Sequence, residues 1–443
     1  MGERAEARAD ALVALGLTGD LGDDELLPAL AHLHSVGRLD IPVVSVGRSD
    51  RTVAQLREQL AEHDPAAAKD VDLHYVQGDA TDSATFDAVA DTIGDARMPV
   101  VYAAIPPAMF GDLAAAVAGS RLPEIARLVV EKPFGDDAES ARALYERIAG
   151  DLGADRLRIV DHYLAKAAIE NLLVVRTANP LFDNVLRAGS VGRVLVEMAE
   201  EGDVEGRGSF YDDVGVVADV VQNHVLQLAA FALMERPSDE RLESLRAARA
   251  EALESLSIRQ DSVVLGQYEG YREHEDVDAD SSTPTFASFT MDSTLDRWRD
   301  VPIDVVTGKA LDRRCTRVVF ELAELDGDET EHLPPNNVEF SISPTTEISL
   351  CIRILDPDRA ADERDGAPAA LADSIPSRAM LCGPATHDGM DAYATILDGA
   401  ISGDRTHFAT IDDVVAAWDV SAPLAARDRL VPYPHGGPDP DRR

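Results

Sequence analysis

Ten residues near the start of the chain, GLTGDLGDDE (16–25), begin like a phosphate cradle and end in acids. Gly16-Leu17-Thr18-Gly19-Asp20 lies between an apolar run and a helical one. At such a junction backbone N–H groups and a helix N-terminus can meet a pyrophosphate. The spacing is not the full G-x-G-x-x-G, and a plain tight turn also explains it. The next apolar run closes on Arg48-Ser49. An acid there would hold a ribose 2′-hydroxyl, whereas an arginine accommodates a 2′-phosphate, which favours NADP over NAD. An ordinary surface arginine is the alternative. Further on, Asp161, His162, Tyr163 and Lys166 cluster in DHYLAK. An ammonium, a phenol and an imidazole together suit a dianion. His224 lies in an apolar helical stretch, QNHVLQL. An imidazole is the natural general base near neutral pH, although taken alone such a histidine is more often a core residue. Asp161, taken alone, reads equally as a strand-end or helix-cap aspartate.

The elements that must position these groups follow from hydrophobic spacing. ALVAL, IPVVSVG, VDLHYVQ, MPVVYAA, RLVVE and DRLRIV read as strands. DELLPALAHLHSVG, TVAQLREQLAEH, DSATFDAVADTI and DAESARALYERIAG read as helices between them. Alternation through about residue 160 predicts a doubly wound parallel sheet. Beyond it, AAIENLLVVRTANPLFDNVL and DVGVVADVVQNHVLQLAAFALME read as helices. Between residues 260 and 352, alternating segments such as SVVLGQYEGY, TFASFTMDS, CTRVVFELAE and VEFSISPTTEISLCIRI predict an antiparallel sheet. DRAADERDGAP reads as a loop and HGGPDPDRR as a frayed tail.

The chain has 443 residues, which suits two or three domains. Asp and Glu number 81 against 41 Lys and Arg, a formal charge of −40, so nucleic acid and anionic membranes are excluded as expected partners. Lysine occurs only at positions 69, 132, 166 and 309. Acid excess with so little lysine reads either as a salt-adapted surface or as a merely acidic protein. No uninterrupted apolar run reaches membrane-spanning length, the charged start MGERAEARAD lacks a signal core, and a cytoplasmic location is expected. Cys315, Cys351 and Cys382 lack metal spacing, so reduced thiols and no metal site are expected.

Three stretches carry more than generic information: EKPFG (131–135), DHYLAKAAIENL (161–172) and EGRGSFYDDVGVVADVVQNHVLQL (205–228). With GLTGDL, VVYAAIPP, GQYEGY, TPTFASF, RWRDVPIDVVTGKAL and DAYATILDGAISGDRTHF, in that family's order, the chain resembles glucose-6-phosphate dehydrogenase. The resemblance implies an α/β Rossmann dinucleotide-binding domain (8–161), then a larger α+β domain with a mostly antiparallel sheet (162–435). It implies oxidation of the anomeric hydroxyl of glucose 6-phosphate to 6-phosphoglucono-lactone, the first step of the oxidative pentose phosphate pathway. It gives His224 as general base and Asp161 as the carboxylate that orients it. His162, Tyr163 and Lys166 would grip the 6-phosphate. Lys132 would lie between sugar and nicotinamide, beside a Lys132–Pro133 bond expected to be cis. Glu200 and Asp219 would accept from sugar hydroxyls, with Lys309 and Arg314 as further basic groups. Gly16, Thr18, Gly19, Asp20, Leu21, Arg48 and Lys132 would hold NADP. A homodimer or homotetramer is implied.

The chain also departs from the family. Relatives read G-D-L-A-K-x-K where this chain has Gly22, Asp23 and Glu25, so a lysine that reaches both ligands is lost. Acids favour the first turn of a helix through its dipole, yet carboxylates turned toward a pyrophosphate would repel it. Ser343 stands where many relatives carry glutamine, and the chain's end leaves a second, structural NADP site unexpected. The alternatives are therefore a paralogue that takes another sugar phosphate or NAD, and a catalytically weak regulatory relative.

Overall fold

The structure, a computed structural model, describes residues 7–204, 206–324, 335–355, 374–382, 391–425 and 429–441. The chain forms two compact units, Met1–Ala167 with His387–Asp419, and Ala168–Thr386 with Val420–Arg443.

In the first unit β1 (Ala11–Leu15), β2 (Val43–Gly47), β3 (Leu73–Gln77), β4 (Pro99–Ala103), β5 (Arg127–Val130) and β6 (Leu157–Val160) form a parallel sheet ordered β6-β5-β4-β1-β2-β3. The sequences ALVAL, PVVYA, RLVV and LRIV are buried at every position. Strands covered on both faces need such continuous apolar runs. β1 pairs with β2 on one side and β4 on the other, so the strand order reverses beside it. Ligands of doubly wound sheets bind outside the carboxyl ends at that reversal. Helix starts are capped locally: Thr52 with Gln55 and Asp137 with Ser140 form reciprocal caps before Val53–His63 and Ala138–Leu152.

Residues 391–419 pack into this unit, whereas the expected range 162–435 places them in the second. The strand Phe408–Ala409 adds antiparallel to β6 at the sheet edge. The helix Ala392–Ser402 buries Tyr393, Ile396, Leu397 and Ile401 in the same core as Leu12, Leu30 and Tyr102. A two-residue strand has no period to read, so the return left no pattern in the sequence. Helix Phe110–Ala118 has no clear sequence signature, because its exposed face is Asp112, Ala115 and Ala118 and alanine gives little polar contrast.

The second unit holds β7 (Val191–Ala199), β8 (Leu256–Ile258), β9 (Val264–Tyr268), β10 (Phe286–Ser293), β11 (Ile303–Gly308), β12 (Cys315–Leu322), β13 (Asn337–Ser343), β14 (Glu347–Leu355) and β15 (Ser374–Cys382). With strand Val431–Tyr433 they form a sheet ordered β15-β14-β13-β12-β7-β11-β10-β9 and then 431–433, with β8 on β10. Pairing is antiparallel except β7 with β11 and β9 with 431–433. At its centre Glu197 is 2% exposed and is held by Arg313 (2.6 Å) and Arg317 (2.7 Å). A buried carboxylate needs such pairing.

The expected frayed tail is a correction. Gly437 bridges Leu311, Gly436 N–H donates to Ala310, and Asp439 accepts from Arg313 at 2.8 Å. Asp441 accepts from Ser288. Pro, Gly and Asp satisfy their polar groups on the sheet here, which composition alone does not reveal. The segment DRAADERDGAP lies outside the described residues.

Candidate active site

In the first unit the loop after β1 is shaped by close approach. Gly16 has φ +88°, and a Cβ there would lie 2.1 Å from the Ala104 carbonyl oxygen. Only glycine accepts that place. Gly19 N–H closes the turn on Gly16 O at 3.0 Å. A helical run then begins at Asp20, with a π turn over Gly22–Leu26 and no side-chain cap. A tight glycine turn that opens into a helix start fits a pyrophosphate. Across the sheet end, Gly47 lies beside Thr18, and Arg48 is exposed at the close of β2. Arg48 is among the groups that hold the Asp79 carboxyl below its usual range, after the Thr81 hydrogen bonds.

The three acids of the opening stretch point differently. Asp23 accepts from Gln59 Nε2 at 3.0 Å, and Asp24 is exposed. Glu25 is half-buried; burial first, then Asp391 and Asp24, raise its pKa, against Lys166. Glu25 is therefore not a helix-start acid facing solvent. It has entered the electrostatic neighbourhood of Lys166.

The turn after β6 gathers the DHYLAK side chains. Asp161, 3% exposed, caps it by accepting from Tyr163 N–H at 3.0 Å. Lys166 Nζ lies 3.7 Å from the centre of the Tyr163 ring, a cation–π contact. The His162 ring stacks on Tyr393, centroids 5.4 Å apart. Tyr393 was not read as a site residue, although DAYATILDGA was among the family stretches; a phenol in an apolar helix gives no signal alone. The Lys132–Pro133 bond is cis, and Lys132 follows the buried Glu131. Trp418 donates to Phe134 O just beyond (3.1 Å), so the returning segment braces this loop.

In the second unit the expected single helix is three pieces. Gly208–Val216 bends at Gly215 (φ +60°), where a Cβ would meet Thr283 at 3.0 Å. Val217–Val225 is a π-helix, and Leu226–Leu233 is α-helical. The run Gly208–Leu233 is long and apolar enough to cross a bilayer, yet its most apolar window is 89% buried in the protein, as a core helix would be. His224 (4% exposed) and Asp219 (7%) both lie on the π-helix. Such widened turns are frequent at functional sites. The His224 N–H donates to Asn223 Oδ1 at 2.7 Å, and Asn223 Nδ2 reaches Ala218 O at 2.9 Å. Lys309 Nζ bonds Glu200 at 2.9 Å, stands 3.9 Å from Asp219 and lies 5.2 Å from the Tyr211 ring centre. Glu200, Asp219 and Lys309 thus form one group, and Tyr211, unread in the sequence, backs it. Tyr433 O–H donates to Lys309 O at 2.7 Å, so the chain's last strand fixes that lysine's backbone. Arg314 is exposed beside Cys315, whereas its neighbour Arg313 is the residue built into the ion-pair network. Burial pushes the Cys315 thiol up to about 11. Among the described residues no group of three or more His, Cys, Asp or Glu is arranged to hold a metal.

Residues 13–171 match the NAD binding domain of the glucose-6-phosphate dehydrogenase family and residues 173–443 its C-terminal domain. Glucose-6-phosphate 1-dehydrogenase 1 of Mycobacterium tuberculosis (strain ATCC 25618 / H37Rv) is 34% identical over 435 residues, 94% of this chain and 90% of that one. The cytoplasmic isoform 6 of Arabidopsis thaliana is 28% identical, covering 97% and 89%. The crystal structure of the Mycobacterium avium enzyme superposes with a TM-score of 0.86 at 32% identity, covering 98% and 95%. A glucose-6-phosphate dehydrogenase in complex with its substrate glucose-6-phosphate gives 0.87 at 26% identity, covering 98% and 97%. With both of its halves matched at nearly full length, the chain belongs to the glucose-6-phosphate dehydrogenase family.

Proposed function

We propose that this chain oxidises the anomeric hydroxyl of glucose 6-phosphate to 6-phosphoglucono-lactone, the entry reaction of the oxidative pentose phosphate pathway, in the cytoplasm and as a homo-oligomer. NADP, when bound, supplies the hydride acceptor. The observation that carries the reading is the match of both family halves, in order, to a chain that keeps the acid–base and phosphate-binding residue types.

His224 takes the proton of the anomeric hydroxyl, and Asp161 orients its ring and stabilises the imidazolium. His162, Tyr163 and Lys166 bind the 6-phosphate; stacking on Tyr393 and the cation–π contact order all three before the ligand arrives. Lys309 fixes Glu200 and Asp219, which then accept from sugar hydroxyls. Arg314 adds positive charge from an exposed turn. The loop Gly16, Thr18, Gly19, Asp20 and Leu21 would hold the pyrophosphate of NADP, Arg48 would take its 2′-phosphate, and Lys132 would serve both nucleotide and sugar.

The inward Glu25 favours a second reading, a relative with weakened affinity or another sugar phosphate, since it sets a carboxylate against Lys166. Steady-state kinetics with glucose 6-phosphate and other hexose and pentose phosphates, each with NADP and NAD, separate the two. The first reading requires the highest kcat/KM for glucose 6-phosphate with NADP. A tenfold preference for another sugar phosphate would replace it. Arg48→Ala should raise KM for NADP much more than for NAD; equal effects would remove Arg48 from cofactor selection.

A further inference from the structure

Glu131 has none of these roles, yet its carboxylate is buried and hydrogen-bonded within the first unit. It is 7% exposed and follows β5 directly. Tyr102, fully buried on β4, donates its O–H to Glu131 Oε1 at 2.5 Å. β4, β5 and β6 are parallel and in register, with Tyr102 opposite Val129 and Val130 opposite Ile159. Glu131 and Asp161 therefore emerge at the same carboxyl end of adjacent strands, and Lys132 is the next residue along.

We propose that Glu131, fixed by Tyr102, is a positioning residue that orients Lys132 and supplies the counter-charge against which that lysine meets its ligands; this rests on the functional reading above. A lysine on a flexible stem beside two substrates needs an anchor. Its backbone N–H also bonds the Glu131 carboxylate. The charges facing Glu131 are Tyr102 from β4, Lys132 on its own loop and Asp161 from the end of β6. Through Tyr102 it also senses Tyr393 and Glu25. Burial pushes Glu131 up to about 7, against the Tyr102 and Lys132 interactions that lower it. The counter-charge is present above that pH and lost below it.

Glu131→Gln keeps an acceptor oxygen for Tyr102 and removes the charge alone. Below pH 7 the wild-type side chain is itself neutral, so the two proteins must converge. The expected kcat of the variant is about tenfold below wild type near pH 8.5, the scale of a slightly misplaced catalytic group. The gap closes toward pH 6. Ionisations common to both proteins cancel in the ratio. A ratio that is flat with pH, or equal to one throughout, overturns the proposal. Tyr102→Phe keeps the ring and removes the hydrogen bond that lowers Glu131, so the alkaline rise in its kcat should shift to higher pH. An unshifted profile also overturns it, and this variant carries the test if Glu131→Gln does not fold. A wild type inactive with glucose 6-phosphate defeats the functional reading and this role together, whereas a flat ratio in an active enzyme defeats this role alone.

Discussion

At the scale of single residues, the proposed chemistry rests on a buried imidazole and three of the chain's four lysines. His224→Asn should lower kcat by about 10²–10⁴-fold with KM nearly unchanged, the signature of lost general-base catalysis. Near wild-type kcat would take His224 out of the mechanism. Glu25 stands where the family resemblance leads to the expectation of a lysine, and it is half-buried. Its half-burial near Asp391, Asp24 and Lys166 means that its charge is felt by the turn proposed to bind the phosphate. Glu25→Lys should therefore lower KM for glucose 6-phosphate in dilute buffer by about fivefold, the size of a ~1 kcal/mol charge contact. The gain should shrink as KCl screens it. KM values that ignore the substitution at every salt level would show that Glu25 does not act on either ligand.

At the scale of elements, the parallel strands were legible because strands covered on both faces must be uninterrupted apolar runs, and the glycine loop because a strand-to-helix junction needs one. Gly16 illustrates how firmly that loop is set. Gly16→Ala would press a methyl into the Ala104 carbonyl at a positive φ, a strain of about 1–3 kcal/mol. Tm should fall by several degrees and KM for the nucleotide should rise; an unchanged Tm would mean that the turn is looser than described. Other features had no local signature. The bend at Gly215 and the π-helix that carries Asp219 and His224 read as one continuous helix, because hydrophobic spacing does not distinguish a widened turn. Tyr393, Tyr211 and Glu131 acquire meaning only from contacts far along the chain: 231 residues separate Tyr393 from His162. The family resemblance supplied candidate residues; it could not supply the packing that orders them.

At the scale of the whole molecule, 81 acidic against 41 basic residues leave a large uncompensated charge. Exposed arginines offset some of it, as in Arg121 with Asp87 and Asp91 or Arg259 with Asp292. Such exposed pairs contribute little each, so self-repulsion dominates in dilute buffer. Tm should rise from about 0.01 M to about 1 M KCl, over which the Debye length falls from about 30 Å to about 3 Å. A flat or falling curve would leave the acid excess as composition alone. The claim that joins all three scales is that this chain moves a hydride from the anomeric carbon of glucose 6-phosphate to NADP. Glucose 6-phosphate deuterated at that carbon tests it directly, by mass measurement of the reduced nucleotide. The nucleotide product should carry one deuterium, and turnover should be slower than with the unlabelled sugar. Reduced nucleotide without deuterium, or no reduction at any KCl concentration, would contradict it.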